Sequence, residues 1–164
     1  MWPENLKCRT ATNADIPEIV ELVKQCLPEF NLTFSPETSE RDLQNIEATY
    51  LNQGGTFEII QSAEGKIIGT VALLRVNATT AKLRKMYLAK DYRSLGLGRL
   101  LLERILEKAI SLGYQEILLE TVHTMKTAIH LYESFGFRKV NQVVAVSPRC
   151  DIVMRKILTD RSKN

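Results

Sequence analysis

The chain has little cysteine, little histidine, no long apolar run and no concentration of like charge. Its three cysteines among 164 residues, Cys8, Cys26 and Cys150, are far apart and show no CxxC or Cys/His spacing. That pattern supports neither a zinc site nor a disulfide framework, and a reducing compartment suits it best. No run approaches the roughly eighteen apolar residues of a membrane helix. The opening stretch, "MWPENLKCRT", also lacks an apolar signal core. A soluble, cytoplasmic protein without a metal or a membrane partner is therefore expected. Net charge is only +3 and the basic residues are scattered. Nucleic-acid binding usually needs a basic stripe, so no nucleic-acid partner is expected, although the balance mildly favours anionic ligands. The P-loop pattern Gly-x-x-x-x-Gly-Lys-Ser/Thr is absent.

What is present suits one globular domain over residues 5–158, with "TDRSKN" at 159–164 as a loose polar tail. "LKCRTA" reads as a short strand. Asn13 and Asp15 offer caps, Pro17 suits a first helical turn, and Ile16, Ile19, Val20, Val23 and Leu27 follow at helical spacing until Pro28. The segment "PEFNLTFSPET" is irregular, and Ser39 with Asp42 resembles a capping box for a second short helix carrying Leu43, Ile46 and Tyr50. After Gly54-Gly55, "TFEIIQS" and "KIIGTVALLRV" form a hairpin pattern around "AEG". "AKLRKMYLA" predicts a further strand, 96–112 a long helix, "YQEILLETV" a strand and 125–134 a helix. "FRKVNQVVAV" and "CDIVMRKIL" predict a closing antiparallel pair. The order β-α-α-β-β-β-α-β-α-β-β predicts a mixed α/β sheet.

One junction carries chemistry. In "DYRSLGLGRLLLERILEKAI", Gly96 and Gly98 stand where a strand gives way to a helix with Leu100, Leu101, Ile105, Leu106 and Ala109 on its apolar side. Missing side chains let a ligand approach the main chain, and the first amides of a helix lack internal partners. Such a junction suits a phosphate or diphosphate, with Arg93 and Arg99 adding positive charge. A tight turn with one packing glycine gives the same short pattern. A dinucleotide fingerprint would need a third glycine where Leu101 stands, although Glu120 at the end of the next strand mimics its ribose-binding acid.

Two blocks together resemble the GNAT superfamily of acyl-CoA-dependent N-acetyltransferases. Arg93, Gly96 and Gly98 match Arg/Gln-x-x-Gly-x-Gly/Ala, and "AIHLYESFGF" at 128–137 matches A-x-x-L-Y-x-x-x-G-F. The resemblance implies a GNAT-like, mostly antiparallel twisted sheet with helices on both faces. It implies that the loop Arg93, Ser94, Leu95, Gly96, Leu97, Gly98 and Arg99 holds the diphosphate of acetyl-CoA, chiefly through main-chain amides. Met86 and Leu88 would border the pantetheine arm, with the Leu88 amide facing the thioester oxygen and Tyr132 protonating the departing thiolate. The family's frequent asparagine is replaced by Met125, so Thr124 or Lys126 would substitute for it. Many relatives pair through their late strands, which makes a homodimer possible here.

The acceptor is a small-molecule amine on this reading. Strict alternation puts Lys82, Arg84 and Met86 on one face of a strand. Arg84, with Lys82, is then expected to bind an acceptor carboxylate, and both residues also suit a solvated or ion-paired surface. Glu120 and His123 are the candidate bases. Phe30 and Phe34 are candidate acceptor contacts, and direct transfer is favoured over a cysteine intermediate. A protein or peptide acceptor, and a non-catalytic acyl-CoA-binding module, remain as alternatives.

Overall fold

In the computed structural model, which describes residues 2–141 and 147–158, the elements follow the expected order. A seven-stranded sheet is built from β1 (Lys7–Thr10), β2 (Thr56–Gln61), β3 (Ile67–Arg75), β4 (Thr80–Leu88), β5 (Glu116–Thr121), β6 (Arg138–Lys139) and β7 (Ile152–Ile157). Its spatial order is β1-β2-β3-β4-β5-β7-β6. Among these pairings only β4 with β5 is parallel, as a crossover through a helix requires. The helices are α1 (Ile16–Cys26), α2 (Ile46–Thr49), α3 (Leu97–Ser111) and α4 (Lys126–Ser134).

Two cores lie on the two faces of the sheet. One gathers Leu97, Leu101, Leu102, Ile105 and Ala109 of α3 with Ile129 and Tyr132 of α4 against Leu83 and Leu119. The other gathers Ile19, Leu22, Val23 and Cys26 of α1 with Ile46, Tyr50 and Phe57. Leu97 and Leu102 are buried in α3 where Leu100 was expected, since Leu100 only packs against the margin. The apolar stripe is thus turned slightly from the predicted one.

Asp15 fastens the start of α1. Its carboxylate accepts from the Thr12 amide at 2.9 Å and from both terminal nitrogens of Arg9, at 2.9 and 2.8 Å. Past Cys26 the chain tightens into a 3₁₀ turn, Leu27–Phe30, and Asn31 leaves it in the left-handed region at φ 60°. The expected Ser39/Asp42 capping box does not form. Asp42 is recruited inward, where it accepts from the Tyr50 hydroxyl, and α2 is capped instead by Asn45, which accepts from the Ala48 amide.

At the C-terminal side the pairing of β6 with β7 is present, but β7 starts at Ile152, so Cys150 precedes the strand. The remainder of the predicted strand at 142–146, and the tail at 159–164, lie outside the described residues.

The α1 anchor has a pH signature. Arg9 and the Thr12 amide hold the Asp15 carboxyl below its ordinary value. Its contribution is therefore present above the unfolded carboxylate value, about pH 4, and is lost as pH falls through the lower folded value. Asp15→Asn removes the charge paired with Arg9 and should cost about 0.5–1 kcal/mol at pH 7, the range for a partly exposed ion pair. Urea denaturation at neutral pH and near pH 2.5 should show the difference between variant and wild type closing in acid.

Candidate active site

A bulge in β4 decides which side chains meet. Ala72 faces Arg84 and Thr70 faces Tyr87, so two steps along β3 match three along β4. The surplus residue lies at Lys85, whose φ of 52° is left-handed. Side chains alternate along a strand, and one inserted residue reverses the faces beyond it. Ala81 and Leu83 therefore share the α3/α4 face with Met86 and Leu88, whereas Lys82 and Arg84 lie on the α1 face with Tyr87. The expected common face of Lys82, Arg84 and Met86 is corrected by this insertion.

Just past the pairing of Leu83 with Leu119, β4 and β5 part. A cavity of about 560 Å³ opens beside the upper half of β4 and is lined by Met86, Leu88, the loop 93–99 except Leu95, and residues 124–128 of α4 and the turn before it. Leu95 turns outward and is 64% exposed. Gly96 caps α3 with φ 81°, a conformation that a side chain makes costly. Gly98 is needed for a different reason: a Cβ there would stand 3.3 Å from Leu131 Cδ2 and about 4 Å from Met86 and Leu88, inside the cavity. The first turn of α3, with its free amides and positive dipole end, thus borders the open space directly.

The loop is tied to the strand by Arg93. Its Nε donates to the Leu88 carbonyl at 3.0 Å, and its guanidinium pairs with Glu29. Arg99 lies over the Phe135 ring at 4.8 Å. Tyr132 is buried and packs edge-to-face on Phe137, with ring centroids 5.8 Å apart. Its hydroxyl points at Met86 Sδ, 3.8 Å away. Burial pushes this phenol well above its ordinary value, so it stays protonated at every working pH.

On the opposite face lies a smaller cavity of about 90 Å³. Lys82, Arg84, Lys85 and Arg149 line it, and so does Glu120. Lys82 pairs with Glu120 at 2.8 Å, and Arg149 pairs with the buried Glu40. Arg84 and Lys85 share Asp42, at 4.0 and 3.4 Å, and both donate to the Ser39 carbonyl. Among the described residues four cations thus face three carboxylates, which leaves one positive charge in excess at Arg84 and Lys85. Burial pushes the Lys85 ammonium below its ordinary value, with Asp42 opposing that shift.

The structure sorts the expected residues. Met86, Leu88, Arg93, Ser94, Gly96, Leu97, Gly98, Arg99, Tyr132 and Phe30 border the larger cavity, and Lys82, Arg84 and Glu120 border the smaller. His123 joins neither: its ring is 73% exposed and pairs with Asp151 on the outer rim. Phe34 also stands apart, packed on the α1 core beneath the Lys24 ammonium, because an aromatic ring in an irregular segment anchors it. Tyr87, Lys85, Arg149 and Met125 were missed. The bulge hid the first two, and nothing near Arg149 in sequence marks it as a wall residue. Met125, where the family pattern has asparagine, borders both cavities.

Among the described residues no group of three or more histidine, cysteine, aspartate or glutamate side chains could hold a metal ion. No helix among them is long and apolar enough to cross a membrane.

Comparison with known proteins agrees with this geometry. The family model described as "Acetyltransferase (GNAT) family" matches residues 16–137. The uncharacterized N-acetyltransferase YjgM of Escherichia coli is 25% identical over 160 residues, covering 94% of this chain and 95% of its own. The N-acetylaspartate synthetase of Xenopus tropicalis is 36% identical over 104 residues, which are 62% of this chain and only 38% of that protein. A crystal structure of a GNAT-family acetyltransferase from Staphylococcus aureus superposes with a TM-score of 0.88 at 25% identity, covering 94% of this chain and 99% of its own. The open helix start at Gly96 and Gly98, the parted strands and the buried tyrosine thus sit in a chain that belongs to the GNAT family of acetyltransferases.

Proposed function

We propose that the protein transfers the acetyl group of acetyl-CoA directly to the primary amine of a small, amino-acid-like acceptor. The single positive charge in excess on the smaller cavity carries the acceptor half of this reading. An amino acid with a neutral, reactive amine carries one negative charge, on its carboxylate. Arg84 gives a single hydrogen bond among the described residues, to Ser39, and so retains N–H groups for such a carboxylate. The kinship with an N-acetylaspartate synthetase supports an acceptor of this kind. The three unpaired thiols suit a cytoplasmic setting.

Bound acetyl-CoA supplies an activated acetyl thioester. The residues for holding it fit: the amides at Gly96–Arg99 face the larger cavity, and Met86 and Leu88 line its strand side. The Leu88 amide would stabilise the negative charge that grows on the thioester oxygen, a contribution of about 3 kcal/mol where such donors have been removed. The new C–N bond forms as the C–S bond breaks. Tyr132 gives its proton to the sulfur, and the proton shed by the nitrogen passes to Glu120, the one expected base that borders the acceptor cavity.

Gly98→Val places a branched side chain where the cavity narrows toward Leu131. Calorimetry should show coenzyme A binding at least about tenfold more weakly, roughly 1.4 kcal/mol, with the melting temperature little changed. Tyr132→Phe should lower kcat by about a hundredfold, the lower range for a lost general acid, while acetyl-CoA affinity is kept.

The acceptor reading is tested by following thiol release from acetyl-CoA with a panel of amino acids, their decarboxylated amines and lysine peptides. Amino-acid-dependent release is expected, and Arg84→Ala should raise KM for those acceptors tenfold or more, in line with about 1.5–3 kcal/mol for a charge-assisted bond. Release that depends only on peptides, or an unchanged KM in Arg84→Ala, overturns it.

A further inference from the structure

The two cavities border only two residues in common, Tyr87 and Met125. They mark the throat where β4 and β5 have parted and the two faces of the sheet communicate. Met125 offers a thioether, already taken as acceptor by the Thr121 hydroxyl at 3.6 Å. Tyr87 alone brings a strongly polar group to the junction.

That hydroxyl differs from those of the three buried tyrosines. Tyr50 donates to Asp42, Tyr114 donates to the Gly54 carbonyl at 2.7 Å, and Tyr132 is directed at Met86. Tyr87 has no hydrogen-bond partner among the described residues, although it feels the charges of Arg149 and Glu40. Tyr87 is half-buried, so its hydroxyl is left available to a ligand in the cavities it borders. The bulge at Lys85 is what aims Tyr87 here, since strict alternation would have turned it to the α3/α4 face.

We infer that the Tyr87 hydroxyl holds the acceptor nitrogen at this throat, accepting one N–H of the neutral amine so that its lone pair faces the thioester carbon. The inference rests on the acetyl-transfer reading above and adds a residue to it. Burial keeps the phenol protonated, so Tyr87 orients the amine without serving as its base. The nitrogen would then lie between Tyr87 and the cavity that holds Tyr132, with the acceptor carboxylate reaching back to Arg84. A secondary amine would lose one N–H and with it this contact or the proton it must shed, which favours primary amines.

The experiment compares wild type and Tyr87→Phe with the best amine of the panel, by steady-state kinetics, coenzyme calorimetry and thermal melting. A fall of ten- to a hundredfold in kcat/KM for the amine is expected, with coenzyme affinity and melting temperature unchanged. Equal kcat and KM for the amine in both proteins would overturn the inference and leave acetyl transfer standing. A loss shared equally by coenzyme affinity would assign Tyr87 to the larger cavity and overturn it as well. If wild type releases no thiol with any amine, the transfer reading itself fails, and the role of Tyr87 with it.

Discussion

One inserted residue in β4 organises the whole site. Lys85 sits at φ 52°, in a region that costs a side chain roughly 1–2 kcal/mol. The conformation is held from three directions. The Thr70 hydroxyl donates to the Lys85 carbonyl at 2.7 Å, the Lys85 ammonium donates to the Ser39 carbonyl at 2.9 Å, and Asp42 lies 3.4 Å from it. Straighten the strand, and Met86 would leave the face of Tyr132 while Tyr87 would enter it. The larger cavity would lose a wall, and the smaller one its aromatic edge. Strain at this position is therefore compensated locally, and its consequence is felt over the next three residues.

The same charges that line the smaller cavity also seat the irregular segment between α1 and α2. Ser39 accepts from Arg84 and Lys85, and Glu40 and the Thr33 carbonyl bind Arg149. Buried ion pairs of this kind add little net stability, because desolvation offsets most of the attraction. Removing one partner is costly, however, since the other is left buried and unpaired. The pairs thus fix where the segment lies more than how firmly the protein folds. An acceptor anion bound at Arg84, as proposed, would meet a guanidinium that already holds the cavity wall, which would link its binding to the position of that wall.

Periodicity and punctuation made the architecture legible. The 3.6-residue repeat located α1 and α3, the glycine pair located the open helix start, and "HLYESFGF" located Tyr132. Each of these is a local property. The failures were not local. No glycine marks the bulge at Lys85, so alternation ran one residue too far and placed Arg84 beside Met86. Asp42 looked like a capping residue because its neighbours in sequence allowed it, while Tyr50 and Lys85, the groups that actually claim its carboxylate, come from other turns of the fold. His123 had the right chemistry at the end of the right strand, yet Asp151 draws it outward.

This division follows from what each half of the site is made of. The side proposed for the coenzyme is largely main chain: amides at a helix start, a strand edge, and two glycines that leave space beside them. Main-chain recognition tolerates almost any sequence except at those glycines, so it persists as a short readable pattern. The side proposed for the acceptor is made of side chains contributed by β4, β5, the segment after α1 and the turn before β7. Their meaning lies in a balance of charge, three carboxylates against four cations, that exists only once the sheet has brought them together. A change in any one of them alters the balance without touching the glycine pattern. The coenzyme pattern can therefore stay fixed while that balance changes, and among the described residues of this chain the balance leaves its excess cation at Arg84 and Lys85.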